Sequence, residues 1–451
     1  MPGNRNNVRA AAVQMFLLGL FSLTRIYFVI GTVFISELLC DIIAPFLMLK
    51  CWRRMRREGF ALYVYLVIAM VIGLFASSLY NHAGLKDIYK NAINYYALIS
   101  FFVVFYHLIG KNMRSLGWFF LGFAISGVIT IWVLNVTVVD ADMYGGKMYG
   151  EASVEDVTSY ALFWTNKIKG FGQIPIIWSY LGTPLLYSCS IPVVLTVAAL
   201  FLTISGRGQS IAALMGGALM ILVQKSRKRM SGLGRHIWVV LVAGISVVVL
   251  YKGIYSKLAK SGVLGIDARA KYEGQSAYGS SALRILMRSR SEFFTSLYAV
   301  LHHPIMGFGT LNLDKGGYVG KYVERFGADR DLLLYIYVQK KVLERGSTMA
   351  LPQHSHIVGS WCACGILGLI FYVWYLWLVY QFMRRYMSAV PQWFGFFSLY
   401  IPSTIFNIFF SPMVNRWPIA LLAVCMLYAK AIAKGKVILP YDMEMEARRY
   451  D

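Results

Sequence analysis

The residues best suited to chemistry in this chain are histidines and arginines at the edges of apolar runs. The stretch "LPQHSHIVGSWCACGILGLIFYVWYLWLVY" (351–380) sets His354 and His356 directly before a run long enough to cross a bilayer. A membrane helix gains no stability from titratable groups at its mouth, so their presence asks for a use. If one helix ran on from 354, residue 365 would return to within roughly 20° of His354, and Trp361 and Gly368 to within about 40°. That stripe would carry Gly365 and Gly368, small residues that let a neighbouring helix come close. His356 points some 200° away on the same wheel, so it looks elsewhere or belongs to a non-helical cap. The plain alternative is two interfacial histidines snorkelling to water.

Two arginine groups complete the set. In "TISGRGQSIAAL" (203–214), Arg207 stands between two glycines at the boundary of a small-residue run. Glycines there leave backbone N–H groups and the guanidinium open to an anion near a helix N-terminus. An interfacial arginine gripping lipid phosphate would look the same. In "LRILMRSRSEFFTSLYAVLHHPIMGFG", Arg284 and Arg288 are one turn apart and share a face, while Arg290 lies on another. Three guanidiniums suit a diphosphate, which accepts two bidentate contacts; a solvated basic face is the alternative. Glu37 and Asp41 are also one turn apart, with Arg25 able to reach them, and structural pairing is the preferred reading of that group.

The elements that must position these residues are apolar helices. The chain has 451 residues, 58% of them hydrophobic and 14% charged, with mean hydropathy +0.57; soluble domains carry roughly a quarter charged residues. Twelve spans are expected, at 11–30, 33–49, 60–79, 92–109, 116–138, 172–186, 190–204, 209–224, 236–251, 355–380, 393–410 and 417–433. The fold class is therefore all-α: a polytopic helical membrane protein of about 12 transmembrane helices with one large, partly helical outer loop. Residues 1–251 supply nine helices, 252–353 the loop, and 354–451 three more helices with a short inner tail. The start, with Arg5 and Arg9 before an apolar core, lacks a small-x-small cleavage site and reads as a retained span. Five of the six cysteines lie in apolar runs and the sixth begins a basic cluster, so no disulfide framework is implied. No metal site is expected.

Lysine and arginine counts in short loops place the N-terminus inside, with "KCWRRMRR", "KSRKRMSGLGR" and "RR" (384–385) among the inner segments. The net charge is +23. The inner excess is topogenic and meets anionic lipid. The outer segment 252–353 holds 15 bases against eight acids, an excess that topology does not require and an anionic partner would explain. Within it, 281–304 and 330–346 read as amphipathic helices, and the stretch between 302 and 322 as turns.

Together these features resemble the O-antigen ligase and O-antigen polymerase superfamily of bacterial envelope enzymes. The family's late-span signature is a histidine, then Asn, Ser or Gln, nine residues, then Gly-x-x-Gly. His354, Ser355, Gly365 and Gly368 reproduce it in register. A Ser-Arg-type motif at the outer end of a middle span is matched by Ser205 and Arg207, with Gly206 inserted. An arginine-led amphipathic helix ending in Pro-x-x-Gly-x-Gly is matched by Arg290, Pro304, Gly307 and Gly309; Arg288 and Arg284 are rival choices for that arginine. The resemblance covers essentially the whole chain.

It implies glycosyl transfer from an undecaprenyl-diphosphate-linked oligosaccharide at the periplasmic face of the bacterial inner membrane, without metal or other cofactor. His354 would be the general base and His356 a second candidate that orients it or touches substrate; Arg207 and Arg290, or Arg288 or Arg284, would clamp the diphosphate. The acceptor would be another glycan for a polymerase or the lipid A core for a ligase. Polymerase is slightly preferred, as the broader group. Membrane lipid is the surrounding partner, a chain-length regulator fits the polymerase reading, and no nucleic acid is expected. A 12-span transporter or a flippase of lipid-linked oligosaccharide is the reading from another class. Such proteins carry paired halves and midplane polar sites, whereas here the polar signals gather at the outer boundary.

Overall fold

The computed structural model describes residues 3–22, 25–28, 31–111, 115–129, 257, 260–261, 290–310, 312–326, 336, 350–352, 355–390, 393–410 and 416–436. These are overwhelmingly helical, and three helical stretches are long and apolar enough to cross a membrane: Ala61–Tyr80, Leu85–Lys111 and Ile366–Tyr386. The expected spans between 172 and 251, and the helix expected at 330–346 apart from Ile336, lie outside the described residues.

The amino-terminal part contains α1 (Gly3–Leu20), a two-stranded antiparallel ribbon of β1 (Arg25–Phe28) and β2 (Gly31–Phe34), then α2 (Ile35–Glu58), α3 (Ala61–Tyr80), α4 (Leu85–Lys111) and α5 (Ser115–Val128). The first expected span, 11–30, is thereby corrected. Its helix ends at Leu20 and its last residues form the ribbon, where Ile26, Tyr27, Val33 and Phe34 favour extended backbone. The second expected span gains its basic tail, because α2 runs through "CWRRMRRE" to Glu58.

Helix α4 sits centrally, packed against α1, α2, α3 and α5. Its buried face from Tyr95 to Ile109 is almost wholly apolar. Tyr63 of α3 stacks on Phe102 with ring centroids 4.0 Å apart. Helices α1 and α5 cross at Gly19 and Gly122. A Cβ on Gly19 would strike the Phe119 carbonyl, and one on Gly122 the Phe16 carbonyl, so the small residues set the close approach.

The carboxy-terminal part contains α6 (Ser291–Val300), α7 (Tyr318–Phe326), α8 (His356–Cys364), α9 (Ile366–Gln381), a π-turn (Phe382–Tyr386), α10 (Phe394–Phe410) and α11 (Trp417–Ala433). Helix α11 also packs on α4, and α8 and α9 on α3. Helix α7 takes up the end of the stretch expected to be turn-rich and runs beyond it. The Asp314 carboxylate starts it by accepting the Tyr318 and Val319 N–H groups at 2.7 and 2.9 Å.

Candidate functional site

The site is built where the histidine helix begins. Ser355 has extended backbone and caps α8, its hydroxyl oxygen accepting the Val358 N–H at 3.2 Å. The same hydroxyl donates to the Ile408 carbonyl at 3.0 Å. One short side chain thus starts α8 and fastens it to the last turn of α10. His356 is the first residue of α8, 6% exposed, with its ring edge-on to Tyr372 at 6.2 Å. His354 precedes the cap and lies outside the described residues, as do Arg207, Arg284 and Arg288.

The expected single helix over 355–380 is broken. Gly365 has φ +62° and ψ −155°, a backbone region open essentially to glycine alone. Its break lets the Ile366 N–H donate to the Ile305 carbonyl at 2.9 Å. The Phe308 N–H donates to the Cys362 carbonyl at 2.6 Å, and the Trp361 indole to the Pro304 carbonyl at 2.7 Å. A Cβ on Gly365 would strike the Ile305 carbonyl, and one on Gly307 the Cys362 carbonyl. The neighbour that Gly365 admits is therefore the Pro304–Gly309 loop, not a helix. The wheel that aligned residues 354, 361, 365 and 368 fails at both ends, since Ser355 is an extended cap and Gly365 turns the chain. Gly368 instead admits the Ser360 carbonyl of α8.

The loop is held from the other side by α3 and α4. The Ser77 hydroxyl donates to the Met306 carbonyl, Asn81 Nδ2 to the Gly307 carbonyl at 3.3 Å, and the Thr310 N–H to Ser78 Oγ at 2.9 Å. The Thr310 hydroxyl donates to the Asp87 carbonyl at 3.0 Å. Two motifs separated by some fifty residues are thus interlocked through backbone groups.

Helix α6 carries Arg290 at its head. The guanidinium carbon lies 5.1 Å from the ring centroids of both Phe406 and Phe410, within cation–π range. Phe293 packs on Phe410 at 5.5 Å. Further along α6, the Ser296 hydroxyl donates to the Pro352 carbonyl, two residues before His354. Arg290 and Ser355 are therefore both fastened to the Phe406–Phe410 turn of α10.

A residue that the sequence reading missed is Arg416, at the head of α11. Its Nη1 lies 3.1 Å from Glu37 Oε1, with both side chains largely buried. Sequence proximity had suggested Arg25 as the partner of Glu37; the partner the structure brings is 379 positions away. The available signal was an arginine directly before Trp417–Pro418 at a span boundary, because proline at a first helical turn marks a helix start. Among the described residues, no group of three or more His, Cys, Asp or Glu side chains could hold a metal ion.

The site thus joins a buried histidine, a capping serine, an arginine over two phenyl rings and a glycine-dependent loop. No protein-family model matches the sequence, and no curated protein matches it.

Proposed function

We propose that this chain is a polytopic membrane glycosyltransferase of the O-antigen polymerase/ligase type. It would have about 12 spans, with the 252–353 segment and the site on the periplasmic side of a bacterial inner membrane. The donor is an undecaprenyl-diphosphate-linked oligosaccharide and the acceptor a sugar hydroxyl, with polymerase preferred over ligase. One observation carries the reading: the arginine-led helix and the histidine-serine helix are pinned to the same turn of α10 and locked by backbone bonds between the Pro304–Gly309 loop and the Gly365 break. The helices that carry Arg290 and His356, singled out separately in the sequence, meet at this junction.

The chemistry follows from the residue types. The acceptor oxygen attacks the anomeric carbon while the carbon–oxygen bond to the diphosphate breaks. The electron pair leaves on the diphosphate, and the hydroxyl proton passes to an imidazole. His354 is the base, and His356, packed beside Tyr372, is the second candidate, which orients His354 or touches substrate. Guanidiniums from Arg290 and Arg207 stabilise the developing negative charge where water is scarce.

The test gives purified protein undecaprenyl-diphosphate-linked oligosaccharide and resolves the products by size. A ladder of longer lipid-linked chains marks a polymerase, and product only with added lipid A core marks a ligase. His354→Ala is expected to lower turnover by about 10²–10⁴-fold with donor binding retained, the usual contribution of a general base. Arg290→Ala is expected to weaken donor binding as well, and Arg290→Lys to restore it only in part, because an ammonium lacks the bidentate fork. Wild-type turnover in His354→Ala would overturn the base assignment. Flux of donor across proteoliposomes with no new glycosidic bond would overturn glycosyl transfer itself.

A further inference from the structure

We propose that the corner Leu301–Ile305, within the segment expected to be a water-exposed loop, is seated in the lipid leaflet. Leu301 and Ile305 would lie against acyl chains, with His302, His303 and Lys321 at headgroup level. The inference needs only a membrane-spanning chain and does not depend on glycosyl transfer.

Depth comes first. Helix α3 has 20 residues, about 30 Å of rise, which matches the hydrocarbon thickness of a bilayer. The Met306 carbonyl is held by Ser77, three residues short of the end of α3 at Tyr80 and so about 4–5 Å inside it. The Ile305 carbonyl is held by the N–H of Ile366, the first residue of the apolar stretch Ile366–Tyr386. The corner therefore lies level with the last turn of one span and the first of another, not above them.

Hydrogen bonding is the second, independent observation. The carbonyls of Pro304, Ile305, Met306 and Gly307 each accept a bond from the protein, in turn from Trp361, Ile366, Ser77 and Asn81. A turn in water needs no such completeness, whereas non-helical backbone at membrane depth is tolerated only when its polar groups are satisfied within the protein.

The side chains agree. Leu301 and Ile305 are 57% and 69% exposed, and the apolar stretches that flank the corner expose apolar side chains of their own, Ile370, Val373 and Trp377 on α9 and Ile72 and Leu79 on α3. The polar groups beside them are amphipathic. His302 Nδ1 meets the Tyr298 carbonyl at 2.8 Å, and because a carbonyl only accepts, Nδ1 carries the proton and Nε2 is left to face the headgroups. His303 Nε2 meets the Tyr318 hydroxyl at 2.9 Å, and Lys321 Nζ lies 5.2 Å from the Tyr318 ring centroid. Rings with one wet edge and a snorkelling lysine are the usual furniture of the interface.

The experiment uses the full chain in phosphatidylcholine nanodiscs, with bimane attached to Ile305→Cys, Leu301→Cys or Gly320→Cys. Gly320, beside Lys321 on α7, is exposed with open space around it and serves as the shallow reference at the water-facing side of the headgroups. The described native cysteines are all buried, and unmutated protein labelled in parallel supplies the background. Position 305 is expected to emit to the blue of 320, to be quenched by a lipid bearing a nitroxide near its headgroup, and to resist aqueous iodide. Equal iodide quenching at 305 and 320 overturns the proposal. Protection of 305 from both quenchers also overturns it, since a second protein surface would then cover the corner. If Ile305→Cys does not fold, Leu301→Cys carries the same test.

Discussion

At the end of the bundle where α2 and α11 finish, the contacts are carried by charged and aromatic side chains, with the Tyr428 hydroxyl also donating to the Tyr106 carbonyl at 2.8 Å. Glu58 takes Arg54 Nε at 2.7 Å and the Tyr106 hydroxyl at 2.8 Å. Tyr106 stacks on Tyr428 with centroids 5.7 Å apart, and Phe60 packs on both. Every backbone there stays helical up to its terminus. At the opposite end, where α3 finishes and α8 begins, nearly every contact ends on a backbone group, reached by another backbone group or by a short side chain such as Ser77, Asn81 or Ser355, and glycines mark the closest approaches. The difference is one of slack. Rotamers absorb a change of size at the first end, but a carbonyl facing a glycine cannot move away from an added methyl without shifting a whole segment. Backbone closure is also the firmer support for a reactive constellation, since small displacements of catalytic groups cost rate steeply.

That contrast is sharpest at Gly365. Gly365→Ala adds one methyl in a glycine-only conformation and drives it into the Ile305 carbonyl. The expected loss is about 3 kcal/mol of stability, strain and overpacking together, and on the proposed function turnover falls with it. The thermal unfolding midpoint of detergent-solubilised protein reads the first effect; a midpoint equal to wild type would remove the claim that this end is closed through its backbone. The next largest effect belongs to the other end. Glu58→Ala strands the buried Tyr106 hydroxyl and should cost about 2 kcal/mol. In a Tyr106→Phe background the same substitution should cost distinctly less. If the two costs are equal, Glu58 contributes nothing through Tyr106 and the side-chain clamp is misread.

How far the sequence disclosed these two ends depended on the scale of the contact. Helices α3, α10 and α11 lie within a residue or two of their expected spans, because a long apolar run has only one low-energy form in lipid. The break inside 355–380 was invisible, since Gly365 in an apolar run looks like a helix-packing glycine, and only the loop it meets reveals its backbone angle. The Arg416–Glu37 pair was missed for a related reason: nearest charge in sequence is a poor guide when helices bring remote ends together. Ser355 was legible as a motif residue, but its double role between Val358 and Ile408 was not. That Arg290 and the His354–Ser355 motif serve one site was expected from the resemblance; that the last turn of α10 holds both Arg290 and Ser355 was not.

The two smallest effects decide whether the contrast holds for single polar side chains too. Ser355→Ala removes the cap of α8 and its tie to Ile408, and should cost about 1 kcal/mol, the usual value for a lost helix cap; Ser355→Thr should recover most of it. Arg54→Ala removes a charge from the opposite end, yet Arg54 is 49% exposed on its side chain and pairs with Glu58 one turn along the same helix. Solvent screens such a pair, so the expected cost is only about 0.3–0.5 kcal/mol. Glu58 meanwhile keeps Tyr106 and loses little. A neutral hydroxyl at the backbone-closed end should therefore outweigh a full charge at the side-chain-closed end, an ordering that electrostatics alone would reverse. Unfolding midpoints of the two variants measured side by side in one detergent give the answer, and a larger loss for Arg54→Ala than for Ser355→Ala would end the distinction between the ends.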